Sequence, residues 1–117
     1  FELRLMDGSS NPYLLQAGVI AAGLEGLNKR TDPGEPLSCN MYTDYKNYSH
    51  LKKLPDEIED SIKELEDCKE LREAFGEDVI NSFIKLKKEE IDEFNREESF
   101  NKKDPVTEWE KKNTLDC

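Results

Sequence analysis

PYLLQAGVIAAGLEGL, residues 12–27, decides the fold. Leu14, Leu15, Ala17, Val19, Ile20, Ala21, Ala22, Leu24 and Leu27 leave Gln16 and Glu25 as its only strongly polar members. A helix so apolar on all sides is one buried on most of them. Asn11 suits the cap and Pro12 the first helical position, where a missing N–H costs nothing. Gly18, Ala22 and Gly26 fall at i, i+4 and i+8 and make a smooth face for close approach of another backbone. Gly18, Gly23 and Gly26 each lose about 1 kcal/mol of helix propensity relative to Ala, so packing has to offset them. A chain of this size risks leaving part of that surface uncovered.

Upstream, Phe1, Leu3 and Leu5 alternate with Glu2 and Arg4, which predicts a short half-buried strand over residues 1–5. Asp7-Gly8 then forms a turn. Downstream, residues 28–54 read as loop, with dense turn chemistry in Asp32-Pro33-Gly34-Glu35-Pro36. Tyr42, Tyr45 and Tyr48 are expected to pack down on the core. Amphipathic helices follow over about 56–98. Ile58, Ile62 and Leu65 form the first stripe, and Gly76 closes a short helix holding Leu71, Ala74 and Phe75. Val79, Ile80, Phe83, Ile84, Leu86, Ile91 and Phe94 line a long helix over about 77–98. The run from Lys85 to Glu93 is expected to be a solvated face with i, i+4 pairs. The tail, 99–117, holds a helical turn or two around Trp109. The fold class expected is mainly α with one N-terminal β-strand.

The 117 residues amount to one domain at most, expected to bury roughly two-thirds of the unfolded surface. Acids outnumber bases 27 to 17, for a net charge of -10. That charge disfavours nucleic acid and anionic membranes, both of which need a basic surface. No apolar run reaches the ~20 residues of a membrane span. The opening residue, Phe1 rather than Met, suggests a piece cut from a longer protein, with no signal or transit segment before it. Cys39, Cys68 and Cys117 are widely spaced and fit free thiols in a reducing cytosol. A zinc site would need all three to converge on His50, which the spacing does not suggest.

No glycine-rich phosphate loop, His-Glu-x-x-His or nucleophile elbow is present. The one pair suited to chemistry is Glu2-x-Arg4, on one strand face about 6.5–7 Å apart. A carboxylate is a hard ligand for Mg2+ or Mn2+, and a guanidinium grips phosphate oxygens in pairs. Side by side they suit phosphoryl transfer. On a strand such a pair is also a common exposed ion pair, worth little. A non-catalytic acidic helical interaction domain therefore stays open at this point.

FELRLMDGSSNPYLLQAGVIAAGLEGL, followed by TDPGEP, resembles the C-terminal part of glutamine synthetase. The resemblance rests on Glu2-x-Arg4, Asp7-Gly8, Asn11-Pro12-Tyr13-Leu14, Ala21-Ala22-Gly23-Leu24-x-Gly26 and Asp32-Pro33-Gly34-Glu35-Pro36. Leu54-Pro55 and Leu71-Arg72-Glu73-Ala74-Phe75-Gly76 look like the family's late helices. Met6 departs from the proline common there. Leu5-Met6-Asp7-Gly8 and Thr114-Leu115-Asp116-Cys117 look like the rhizobial type III branch, close to ligases acting on methylamine.

The resemblance implies an ATP-dependent ligase that joins glutamate to ammonia, or to methylamine or another amine, through γ-glutamyl phosphate. Mg2+ or Mn2+ would neutralise the phosphates. Glu2 would match the metal ligand nearest the nucleotide phosphates. Arg4 would match the catalytic arginine that binds the transferring phosphoryl group and the substrate carboxylate. The parent would be a cytoplasmic, ring-forming homo-oligomer with its sites between subunits. Residues 1–117 would supply the last strand of its catalytic sheet and the helices behind it. The nucleotide-binding residues would lie upstream, and the 117 residues alone would be inactive.

Overall fold

The computed structural model describes residues 2–3, 5–97 and 106–114. It is mainly helical: α1 Pro12–Lys29, α2 Met41–Asp44 running into a 3-10 turn over Tyr45–Tyr48, α3 Ile58–Asp67, α4 Lys69–Phe75, α5 Glu77–Glu97 and α6 Glu108–Thr114. Residues 2, 3 and 5 adopt no regular structure, so the expected strand is absent among the described residues. A strand exists only by pairing its backbone with a neighbour, and no other segment described here is extended into a ladder.

Caps set the helix ends. The Asn11 side chain accepts hydrogen bonds from the Tyr13 and Leu14 amides at 3.0 and 3.1 Å, and Pro12 opens α1 as expected. The helix continues two residues past Leu27. It is closed by Arg30 in the left-handed region (φ 51°), whose amide donates to the Leu27 carbonyl while Thr31 donates to Gly26. The predicted loop 28–54 contains α2 and its 3-10 extension, started by Asn40, whose side chain accepts from the Tyr42 amide at 3.1 Å. Gly76 ends α4 with φ 86°, its amide bonded to the Arg72 carbonyl, as a C-terminal glycine should. Thr107 and Glu110 form a reciprocal capping box at α6, and Trp109 meets Phe94 of α5 edge-to-face at 5.6 Å.

The core lies between α3 and α5. Ile62, Ile80 and Ile84 are 5–6% exposed, with Leu65, Leu71, Phe75 and Ile91 packed round them. Arg72 ties the corner together. Its Nε donates to the Glu66 carbonyl at 2.8 Å, and its Nη1 bonds Asn81 at 2.9 Å and pairs with Glu77. Lys88 crosses from α5 to Glu66 of α3 at 2.6 Å. Lys85 and Glu89 make the expected i, i+4 pair, but Lys87 and Glu90 are half-buried together at 2.6 Å, so the charged run is not all solvated.

α1 contradicts its sequence expectation. It leans on α4, joined by Lys29–Glu70 at 2.6 Å, yet none of its residues is buried. Tyr13, Ile20 and Leu27 are 83%, 62% and 75% exposed. A Cβ built on Gly18, Gly23 or Gly26 would meet nothing within 4 Å, so nothing approaches the smooth face closely. Tyr42, 95% exposed, and Tyr45 do not pack on the core either. The accessible surface, 10405 Å², far exceeds the ~6,600 Å² of a folded monomer of this mass. About half of the unfolded surface is buried, less than the two-thirds expected, and the exposed side of α1, which has no opposing layer among the described residues, contributes to that shortfall.

Candidate functional site

Glu2 is exposed and lies in irregular backbone. Its predicted partner Arg4 lies outside the described residues, as does Phe1, so the structure does not bring the pair together or separate it. Among the described residues no group of three His, Cys, Asp or Glu side chains could hold a metal ion. Mg2+ requires near-octahedral oxygen coordination. Glu2 is a suitable hard ligand for it, but one donor leaves the remaining positions to other residues. Cys39 and Cys68 are free and half-buried, as the spacing suggests; Cys117 is outside the described residues.

The turn from Asp7 into α1 is locally fixed. The Asp7 carboxylate accepts from the Ser9 amide at 2.6 Å and from the Ser9 hydroxyl at 2.7 Å. These bonds, the backbone one foremost, hold its pKa below the ordinary carboxylate value. The Ser10 amide donates to the Asp7 carbonyl, and Asn11 then caps α1. The turn expected at Asp7-Gly8 is thus present and leads directly into the cap of α1.

Sequence reasoning missed an open apolar groove beside this turn. It has a volume of about 500 Å³ and runs from Ser9, Ser10 and Asn11 along Leu14 and Leu15 of α1 to Phe75 and Phe83. Its signal was present: α5 is apolar at more positions than α3 can cover, and α1 on nearly every side. The lining carries no catalytic acid–base pair. It is suited to packing.

The first shift of charge beyond the turn is the joint between α1 and α4. Lys29 bonds both Glu25 and Glu70 at 2.6 Å. The Lys29 hydrogen bond is the main cause that pulls the Glu70 carboxyl below its ordinary range, and the two glutamates push the Lys29 ammonium above its own.

A profile described as "Glutamine synthetase, catalytic domain" matches residues 1–110. Among curated proteins the chain is 40% identical over 116 residues to a glutamine synthetase of Rhizobium meliloti, covering 99% of this chain and 25% of that protein. It is 35% identical over 113 residues to one from Halobacterium salinarum, covering 94% and 23%. It is 36% identical over 113 residues to a glutamate–methylamine ligase of Methyloversatilis universalis, covering 93% and 23%. The chain thus spans about a quarter of the length of the curated relatives it matches. No solved structure matches it.

Proposed function

The chain belongs to the glutamine synthetase catalytic-domain family, and from that premise we propose that residues 1–117 are the C-terminal part of a ligase that makes glutamine from glutamate, ammonia and ATP through γ-glutamyl phosphate. The observation that carries this is the family match over nearly the whole chain, from the Glu2-x-Arg4 segment to the start of α6. The large uncovered surface of α1 supports it, because a catalytic-domain segment would have its opposing layer elsewhere in the polypeptide.

On this proposal residues 1–5 become a strand when they pair with the rest of the catalytic sheet. Glu2 offers one anionic oxygen to a divalent cation, Mg2+ or Mn2+, which when bound neutralises nucleotide phosphates. Arg4 presents a planar fork of N–H donors that binds phosphoryl oxygens two at a time and stays cationic throughout. The Asp7–Ser9 turn and the Asn11 cap fix the start of α1 a few residues after that segment. The assembled enzyme is a cytoplasmic ring of identical subunits, and among the described residues no helix is long and apolar enough to cross a membrane. The isolated 117 residues neither hydrolyse ATP nor form glutamine. The methylamine ligase among the relatives favours one second reading, the same chemistry with methylamine as acceptor.

The test uses the Rhizobium meliloti glutamine synthetase with its matching 116 residues exchanged for this chain. Glu2→Gln is expected to cut turnover ~10²–10³-fold and to raise the metal concentration for half activity. Arg4→Lys keeps the charge but loses the fork; it should cut turnover similarly without moving the metal dependence. ADP release with ammonia against methylamine assigns the acceptor. Unchanged turnover and metal dependence in Glu2→Gln would make Glu2 a bystander and sink its assignment.

A further inference from the structure

We propose that Asp7-Gly8 is a site of spontaneous isoaspartate formation and that Ser9 guards it. The inference stands on the turn before α1 and does not depend on the function proposed above.

Of the six glycines, Gly8 alone follows an aspartate or asparagine. Asp7, Gly8 and Ser9 are all exposed. A Cβ built on Gly8 meets nothing within 4 Å, and the positive-φ glycines are Gly34 and Gly76, not Gly8. Neither a close approach nor a left-handed backbone therefore calls for glycine there. The missing side chain does leave the Gly8 amide nitrogen unshielded beside the Asp7 carboxyl group.

That nitrogen can attack the Asp7 carboxyl carbon. A nitrogen–carbon bond forms, the amide proton and the carboxyl hydroxyl leave as water, and a five-membered succinimide closes. Water then adds back. Opening at the main-chain carbonyl gives isoaspartate, and opening at the side-chain carbonyl restores aspartate. One water is lost and one regained, so no oxidant or cofactor enters.

Ser9 opposes the first step in two ways. Its amide and its hydroxyl both donate to Asp7 Oδ1, at 2.6 and 2.7 Å, as short as bonds to an ionised acceptor are. They favour the carboxylate, whose pKa they lower, and a carboxylate has no hydroxyl to expel as water. They also tether the group to the residue beyond the attacking nitrogen. Asp32 accepts the corresponding bond from the Gly34 amide at 2.9 Å. Pro33 has no N–H, so that turn closes no succinimide and serves as an internal reference.

The change would be felt where α1 begins. Isoaspartate adds one carbon to the main chain between Asp7 and Gly8. The Asp7 carbonyl that accepts from the Ser10 amide at 3.2 Å becomes part of a free carboxylate, one residue before the Asn11 cap.

The test incubates the Rhizobium meliloti chimera at neutral pH, native and in urea. Isoaspartate in the peptide holding Asp7 is read by mass spectrometry with electron-transfer fragmentation. The native chimera should accumulate it several-fold more slowly than the denatured one. Ser9→Ala should raise the native rate several-fold, whereas Ser9→Thr, which keeps the hydroxyl, should leave it unchanged. In urea the three rates should agree. Gly8→Ala should lower the rate in both conditions, and Asp32 should yield none. Equal native and denatured rates, or a native Ser9→Ala rate no faster than the unsubstituted one, would overturn the guard. Absence of isoaspartate at Asp7 even in urea would overturn the site itself.

Discussion

α1 and α5 are the two longest helices described, and they invert the usual relation between sequence and burial. α5 is rich in charge, yet Ile80 and Ile84 are among the best-buried side chains described. α1 has almost no charge, yet buries nothing. The difference lies in what each faces. α5 meets α3 and α4, whose own stripes complete a core across two short connections. α1 touches α4 along one edge and meets water elsewhere. Hydrophobic patterning records the surface that a helix evolved to meet; it does not say whether that surface lies in the same stretch of chain.

The largest effects should separate the two helices. Ile84→Ala opens a cavity in the α3–α5 core and should destabilise the chain by about 2–5 kcal/mol. Ile20→Ala removes comparable apolar bulk from an exposed position and should stay within about 0.5 kcal/mol. Chemical denaturation of both variants checks this, and similar losses would erase the distinction between a closed and an open region.

How much of this was legible in the sequence follows from the range of the forces. Short-range features were readable: Asn11 with Pro12 at the start of α1, Gly76 at the end of α4, and the extent of α5 each depend on neighbouring residues. Asn40 and the Thr107–Glu110 box carry equally local signals that went unread, and so α2 was expected as loop. Burial was not legible for α1, Tyr42 and Tyr45, because it depends on partners distant in sequence. The same holds for Arg72, whose contacts with Glu66, Glu77 and Asn81 form only once three helices converge. At the candidate site, Glu2-x-Arg4 alone resembles any surface ion pair, and the chemical role proposed for it draws on the family resemblance rather than on the pair itself. A single carboxylate such as Glu2 does not by itself mark a metal site.

Arg72 gives the next test, in the closed region. Its side chain is 18% exposed and bonds a carbonyl and two side chains. Arg72→Ala should cost about 1–3 kcal/mol, by leaving the Glu66 carbonyl and its neighbours without their donor. Equilibrium unfolding measures it, and a loss below the error would show that the corner holds by apolar packing alone.

The smallest effect concerns the joint between the regions. Glu70 has a lowered pKa, so its link to Lys29 is intact above the ordinary glutamate value of 4.5 and is lost as the pH falls through the lowered value. Lys29 has a raised pKa, so the link persists below the ordinary lysine value of 10.5 and is lost only as the pH rises through the raised value. NMR titration of the Glu70 carboxyl should give a midpoint below 4.5, returning towards it in Lys29→Met. A midpoint indifferent to Lys29→Met would remove that bond as the cause.

Backbone hydrogen exchange on the isolated chain examines the contrast between α1 and α5 most directly, because it reads the stability of each helix separately. Amides around Ile80 and Ile84 should exchange only through global unfolding, and those from Val19 to Leu27 through local opening, orders of magnitude faster. Equal protection of the two helices would contradict the division, since it would mean that α1 is as well packed in this chain as the core itself.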